Sequence, residues 1–196
     1  MVDYFEVFGL PRRLVVDTDE LQRRFYALSR QHHPDFHQGA DAGTQARALE
    51  ASALVNAAYR TLRDPIARVE YLLRLEDGGA PPAGAPGRVT APPELAEMFE
   101  IQEALAEARQ GRIDEAVRET LRAERDRLAE RRAAEERRLS QTLAHDWDAA
   151  GDQDRPAVLA AARRALATRA YLGTVIDDLS AALGENEESL VSNRRH

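Results

Sequence analysis

The 196-residue sequence contains no cysteine and no lysine. The absence of cysteine excludes a disulfide framework, a thiolate nucleophile, a cysteine zinc site and a cysteine-ligated iron–sulfur cluster. No stretch approaches the roughly 20 apolar residues of a membrane-spanning helix. The chain also opens without the basic start and apolar core of a signal peptide. The sequence therefore predicts a cytoplasmic protein with no membrane partner.

Apolar and charged residues are both plentiful. Hydrophobic residues make up 43% of the chain and charged residues 31%, with many Ala, Leu, Glu and Arg, a composition that is typical of a mostly helical protein with a buried core. Residues 1–75 carry ten arginines against ten acidic residues, whereas residues 76–196 carry 17 arginines against 24 acidic residues. An acidic excess confined to the second part argues against binding to nucleic acid.

The first 75 residues are predicted to form four helices. The opening apolar segment ends at Gly9 and Pro11. Apolar periodicity then predicts helices over residues 18–32, 45–62 and 66–75. Opposite the buried stripe of the second helix lies an outer face that carries Arg23, Tyr26 and Arg30. This helix therefore presents positive charge with an aromatic residue between the charges.

The second helix ends at the tripeptide His33-Pro34-Asp35. Proline restricts the residue before it and cannot continue the helical hydrogen bonds. The following residues 36–44 contain two glycines and are predicted to form a loop. A helix end followed by a turn would explain the proline without any function. It would not explain the basic face beside the turn.

An enzymatic alternative would use His33, Asp35 and His37 as an acid–base or metal-binding set. The proline break removes the helical spacing between the two histidines, and no further ligand cluster is evident near them. No third convergent group completes a catalytic set. The sequence therefore predicts no catalytic residue, no metal and no cofactor.

Residues 76–196 are predicted to form a linker, a helical domain and a tail. Four glycines and five prolines in residues 76–93 predict a linker. Three helices follow, from about Pro93 to Arg109, from about Arg112 to Ala150, and from Asp152 or Asp154 to Gly184. Short connections make neighbouring helices antiparallel, which predicts a three-helix bundle over residues 94–184. Residues 185–196 are predicted to be a disordered tail.

The order of these features resembles a J-domain. The resemblance is carried by the short first helix, the basic helix, the His-Pro-Asp turn, and the return helix with Asn56-Ala57-Ala58-Tyr59. The opening Asp3-Tyr4-Phe5 and the later Arg68-x-Glu70-Tyr71-Leu72-Leu73 are similar to the HscB branch, which serves iron–sulfur cluster assembly. Phe36 departs from the pattern, since many J-domains have lysine there.

This resemblance implies an all-α protein that acts as an adaptor. Its J-domain would be a four-helix unit over residues 1–75, built on a helical hairpin with the His-Pro-Asp loop, and the C-terminal three-helix bundle would bind a partner. The implied partner of the J-domain is an ATP-bound HscA/DnaK-type chaperone. The residues that match this contact are His33, Pro34, Asp35, Arg23, Arg24 and Arg30.

The second implied partner is an IscU-type iron–sulfur scaffold protein. In the first helix of the bundle, apolar residues span about half of the circumference and carboxylates occupy the rest, a pattern typical of a protein-binding face. A wide buried face would give the same pattern. The residues that match the scaffold contact are Leu95, Ala96, Met98, Phe99, Glu100, Glu103 and Tyr171. Ala96 departs from the family pattern, which prefers a larger apolar residue.

The sequence leaves two further functions open. One is a J-domain co-chaperone with a different client, in which case the bundle binds something other than a cluster scaffold. The other is a purely structural helical protein in which the His-Pro-Asp tripeptide is incidental. Stimulation of a chaperone ATPase separates the second alternative from both co-chaperone functions.

Overall fold

The computed structural model describes residues 2–33, 36, 39, 41–78 and 115–184. All regular elements within these ranges are helical, which confirms the all-α prediction. Chain contacts define two compact units: unit 1 contains residues 1–84 and 139–162, and unit 2 contains residues 85–138 and 163–196. In the described part of the chain, no helix is long and apolar enough to cross a membrane.

Four helices make up the amino-terminal part of unit 1. They are α1 (Tyr4–Val7), α2 (Thr18–Gln31), α3 (Ala42–Arg63) and α4 (Pro65–Glu76). Each begins at an aspartate whose carboxylate accepts hydrogen bonds from backbone amides of the first turn. These N-caps are Asp3, Asp17, Asp41 and Asp64. Helix α3 is central, since α1, α2 and α4 all pack against it.

The start of α3 differs from the prediction. The sequence predicts a loop over residues 36–44, but α3 begins at Ala42. Asp41 caps it: the backbone amide of Thr44 donates to Asp41 at 3.0 Å, and the Thr44 hydroxyl donates at 2.6 Å. The loop prediction is wrong for residues 42–44 because this double contact offsets the low helix propensity of Gly43.

The predicted long helix over residues 112–150 is present with an internal irregularity. Its described part consists of α5 (Glu115–Arg137), a π-helical segment (Arg138–Thr142) and α6 (Leu143–Ala149). The last helix is α7 (Arg155–Ala182), and Gly184 follows it with a left-handed φ of 79°. This residue matches the predicted helix stop. The predicted helix over 93–109, most of the predicted linker and the predicted tail lie outside the described residues.

Unit 1 also includes residues 139–162. Leu139, Leu143 and Trp147 are buried here, with Trp147 only 3% exposed. The guanidinium of Arg155 lies 5.0 Å from the centroid of the Trp147 ring. Asp148 accepts hydrogen bonds from the backbone amides of Leu14 at 2.8 Å and Val15 at 2.9 Å. One carboxylate thus fixes the connection between α1 and α2. The sequence predicts domains over residues 1–75 and 94–184. These limits stay a prediction, since the two compact units are defined by contacts along the chain and not by domain boundaries.

Unit 2 has its own apolar core between α5 and α7. The buried side chains are Leu121, Leu128, Tyr171, Leu172, Val175, Leu179 and Leu183. Beside this core, Glu136 accepts a hydrogen bond from Arg169 Nε at 2.8 Å, and its Oε1 lies 3.4 Å from Arg132 Nε. The Arg132 guanidinium also lies 3.8 Å from the point where a Cβ on Gly173 would sit. A Cβ at this position would therefore meet the guanidinium at an ordinary van der Waals distance.

Candidate chaperone-binding site

Helix α2 turns one face to the core of unit 1 and the other outward. Leu21 is fully buried, and Phe25 stacks on Tyr59 of α3 with a centroid distance of 4.0 Å. These contacts fix the rotation of the helix. As predicted, Arg23 and Arg30 lie on the exposed face, and Tyr26 between them is 60% exposed. The described chain therefore presents a basic face with an aromatic residue at its centre.

Glu20 partly neutralises this face. Its carboxylate accepts hydrogen bonds from Arg23 Nη2 and from Arg24 Nε, both at 2.7 Å. The two guanidinium groups, with Arg24 the larger contributor, lower the pKa of Glu20. The hydrogen bond to Glu20 raises the pKa of Arg23 in return. The carboxylate thus holds both arginines in place on the first turns of α2.

Arg24 has a second role inside unit 1. Its Nη1 donates to the carbonyl oxygen of Phe8 at 2.6 Å and to that of Gly9 at 2.9 Å. Gly9 has a left-handed φ of 60°, and a Cβ there would lie 3.2 Å from this nitrogen. Arg24 therefore caps the carbonyls at the end of α1. Of the arginines predicted to touch the chaperone, it is the one most engaged within the fold.

Arg30 differs from its two neighbours. It lies in the last turn of α2 and is exposed. No hydrogen bond or ion pair joins its side chain to another residue of the described ranges. A cation in the last turn of a helix also interacts favourably with the partial negative charge there. Arg30 is therefore the predicted contact residue whose charge is most available to a partner.

The end of α2 leads directly to His33 and Phe36. The backbone amide of Phe36 donates to the carbonyl oxygen of His33 at 3.1 Å. The two rings meet edge to face, with centroids 6.1 Å apart. His33 is exposed, and Phe36 is 70% exposed. Pro34, Asp35 and His37 lie outside the described residues, so the placement of Pro34 and Asp35 at this contact stays a prediction.

Only one member of the predicted scaffold-binding set is described. Leu95, Ala96, Met98, Phe99, Glu100 and Glu103 lie outside the described residues. Tyr171 lies within the core of unit 2 and is 6% exposed. Its ring therefore supports the packing of α5 and α7. The proposed contact between Tyr171 and a scaffold protein stays a prediction.

The residues that suggested the HscB branch connect the chain start to α4. The Tyr71 hydroxyl accepts from the Tyr4 amide at 2.8 Å and donates to the Val2 carbonyl at 3.1 Å. The rings of Tyr4 and Tyr71 stack with centroids 4.5 Å apart. Burial is the main cause that raises the pKa of Tyr71. Asp3, which caps α1, also accepts from Arg12 Nε at 2.5 Å.

Arg68 is buried in the same part of unit 1. Its Nη1 donates to the carbonyl oxygen of Leu62, and its Nε has no hydrogen-bond partner within the described ranges. Burial lowers the pKa of Arg68, while the carboxylates of Asp64 and Asp148 oppose that shift. The sequence pattern identified Arg68 as a family residue and did not predict its burial. The signal that could have suggested it is its place among apolar residues of α4.

The metal-site alternative requires several ligand side chains close together. Within the described residues, no group of three or more His, Asp or Glu side chains lies close enough together to hold a metal ion. Of the set His33, Asp35 and His37 considered for catalysis or metal binding, Asp35 and His37 lie outside the described residues. The described residues therefore add no metal ligand to His33, Asp35 and His37.

Known proteins resemble this chain in sequence and in structure. Residues 3–71 match the model of the DnaJ domain family. The structure is similar to chaperone HscB from Vibrio cholerae, with a TM-score of 0.58 and 24% identity over 92% of this chain and 96% of that one. It is also similar to human co-chaperone protein HscB, with a TM-score of 0.60 and 25% identity over 92% and 82% of the two chains.

The match to the DnaJ domain covers α1, α2, α3 and the first part of α4, and it includes His33 and the exposed face of α2. The two structural matches extend over most of the chain and include the helices that follow the J-domain. The chain is therefore an HscB-type J-domain protein.

Proposed function

We propose that this protein stimulates ATP hydrolysis by an HscA/DnaK-type chaperone and delivers an IscU-type iron–sulfur scaffold protein to it. The coarser role, a J-domain co-chaperone of iron–sulfur cluster assembly with a DnaK-type partner, follows from the family. The observation that supports the finer proposal best is the exposed basic face of α2, which leads directly into His33.

The proposed contact with the chaperone is electrostatic in its first stage. Exposed arginines on one helix face attract an acidic partner and increase the association rate in a salt-dependent way. A proline-containing turn presents its side chains with little conformational entropy left to lose on binding. In this proposal the chain performs no chemistry: ATP is hydrolysed on the chaperone, and the cluster is carried by the scaffold.

The bundle is proposed to bind the scaffold through Leu95, Ala96, Met98, Phe99, Glu100 and Glu103, together with Tyr171. A central aromatic residue in such a face commonly carries much of the binding energy, so Phe99→Ala is the most informative change. Binding of an IscU-type protein, followed by calorimetry, should weaken about tenfold or more in this variant. An unchanged dissociation constant would remove Phe99 from the proposed face.

Steady-state ATP hydrolysis tests the two parts of the proposal together. The cognate chaperone is assayed with the scaffold alone, with this protein alone and with both. We expect stimulation by this protein alone and more than additive stimulation with both. Stimulation without synergy would indicate a different client for the bundle. An active chaperone that does not respond to this protein would contradict the proposal as a whole.

A further inference from the structure

Two aromatic side chains of unit 1 are largely exposed. Tyr26 is 60% exposed and Phe36 is 70% exposed. Aromatic residues make up only 6% of this chain, and burial of each one removes about 150–250 Å² of surface from water. Two such side chains are exposed to solvent beside the proposed chaperone contact. Their exposure indicates a partner that covers them.

Both aromatic residues lie on one continuous strip. Tyr26 and Arg30 are four residues apart on α2 and are therefore neighbours on its surface. The backbone amide of His33 donates to the carbonyl oxygen of Arg30 at 3.5 Å, and the His33 ring contacts the Phe36 ring. We call these four residues, Tyr26, Arg30, His33 and Phe36, the aromatic strip. It continues the exposed face of α2 past the helix end.

The two arginines beside the strip, Arg23 and Arg24, already form ion pairs within the protein. Arg23 and Arg24 both bind Glu20, and Arg24 also binds the end of α1. Ion pairs within the protein weaken what these two guanidinium groups gain from a partner, because each would have to share or exchange its present acceptor. Arg30 is the cation on the strip itself. The net positive charge of this face is therefore smaller than its three arginines indicate.

We infer that Tyr26 and Phe36 are the apolar anchors of the contact with the DnaK-type chaperone, seated in an apolar depression whose acidic rim binds Arg30. This inference rests on the proposed function, since it names the residues that give the chaperone contact its affinity. Aromatic residues and arginine dominate the few positions that carry most of the energy of protein interfaces. The strip supplies two aromatic residues, Tyr26 and Phe36, beside one arginine, Arg30.

The test compares single variants of the full chain in the chaperone ATPase assay. Phe36→Ala and Tyr26→Ala should each raise the concentration for half-maximal stimulation about tenfold, the effect expected of an interface anchor, with an unchanged maximal rate. Phe36→Leu restores apolar area and should recover most of the loss, whereas Phe36→Lys should not. Val2→Ala is the matched control, since Val2 is 55% exposed and lies outside the strip.

The outcomes separate this inference from the proposed function. If the wild-type protein stimulates the chaperone and Phe36→Ala and Tyr26→Ala do so at the wild-type concentration, the inference is wrong and the proposed function stands. Full rescue by Phe36→Lys would also overturn it, because charge rather than apolar area would then act at that position. If the wild-type protein does not stimulate an active chaperone, both fail. All side chains changed are exposed, and circular dichroism of each variant checks that it folds as the wild-type protein does.

Discussion

At the scale of single residues, Asp148 joins two stretches of unit 1 that are 134 residues apart in the chain. Its carboxylate accepts from the amides of Leu14 and Val15, and Leu14 is 3% exposed. Without this acceptor, at least one amide donor is left unpaired in a largely buried place. Such a loss costs about 1–3 kcal/mol. The sequence could not predict this contact, because no local pattern relates the residues.

Asp148→Ala should therefore lower the free energy of unfolding by about 1–3 kcal/mol. Urea denaturation followed by circular dichroism measures the change. Asp146→Ala is the matched control: Asp146 lies on the same short helix and is exposed. We expect the control to change stability by less than about 0.5 kcal/mol. Equal effects of the two substitutions would show that the hydrogen bonds of Asp148 add nothing to stability.

The adjacent arginines Arg23 and Arg24 should have different roles. Arg24→Ala removes the donor to the carbonyls of Phe8 and Gly9 and should destabilise the fold by about 1 kcal/mol, since the site is partly exposed. Arg23→Ala should leave the urea midpoint unchanged and act only on chaperone binding. If Arg23→Ala lowers the midpoint as much as Arg24→Ala, this assignment of roles is wrong.

At the scale of elements, the sequence predicts the described helices well because their apolar residues repeat with a helical period. Leu21, Val55, Leu62 and Leu128 are among these repeating apolar residues, and each is at most 3% exposed. Helix starts are harder to predict, since they depend on which side chain reaches which amide. Asp41 illustrates this, because its capping contact adds the Ala42–Thr44 turn to α3. The π-helical segment Arg138–Thr142 had no signal in the sequence.

The cap of α3 makes this element sensitive to acid. Hydrogen bonds from Thr44, first from its hydroxyl and then from its amide, lower the pKa of Asp41. A carboxyl whose pKa is lower in the folded state stabilises that state above its unfolded-state pKa. The stabilisation is lost as the pH falls through the folded-state pKa. The start of α3 should therefore fray on acidification below the ordinary range of an aspartate.

Thr44→Val removes the hydroxyl and tests this cause directly. We expect the pKa of Asp41 to rise toward its ordinary value in the variant, as followed by NMR of the side-chain carboxyl carbon. Thr44→Ser, which keeps the hydroxyl, is the matched control. An Asp41 titration identical in the wild-type protein and in Thr44→Val would show that the hydroxyl does not cause the shift.

At the scale of the whole molecule, local motifs were enough to identify the family. The His-Pro-Asp tripeptide and the residues around Tyr4 and Tyr71 gave the J-domain and the HscB type, and the comparisons confirm both. The structure explains why the latter residues form a signature, since they join the chain start to α4. No pattern in the sequence indicates that residues 139–162 belong to the same compact unit as α1 to α4. Contacts between distant segments have no periodic pattern from which they could be predicted.

The proposed function requires that the turn after α2 activates a DnaK-type chaperone. The most direct measurement is the rate of ATP hydrolysis by the cognate chaperone with the wild-type protein and with Asp35→Asn. The variant keeps the size of the side chain and removes its charge. We expect the wild-type protein to increase the rate and the variant to leave it unchanged. Equal stimulation by both proteins, or no stimulation of an active chaperone by the wild type, would contradict this role of the turn.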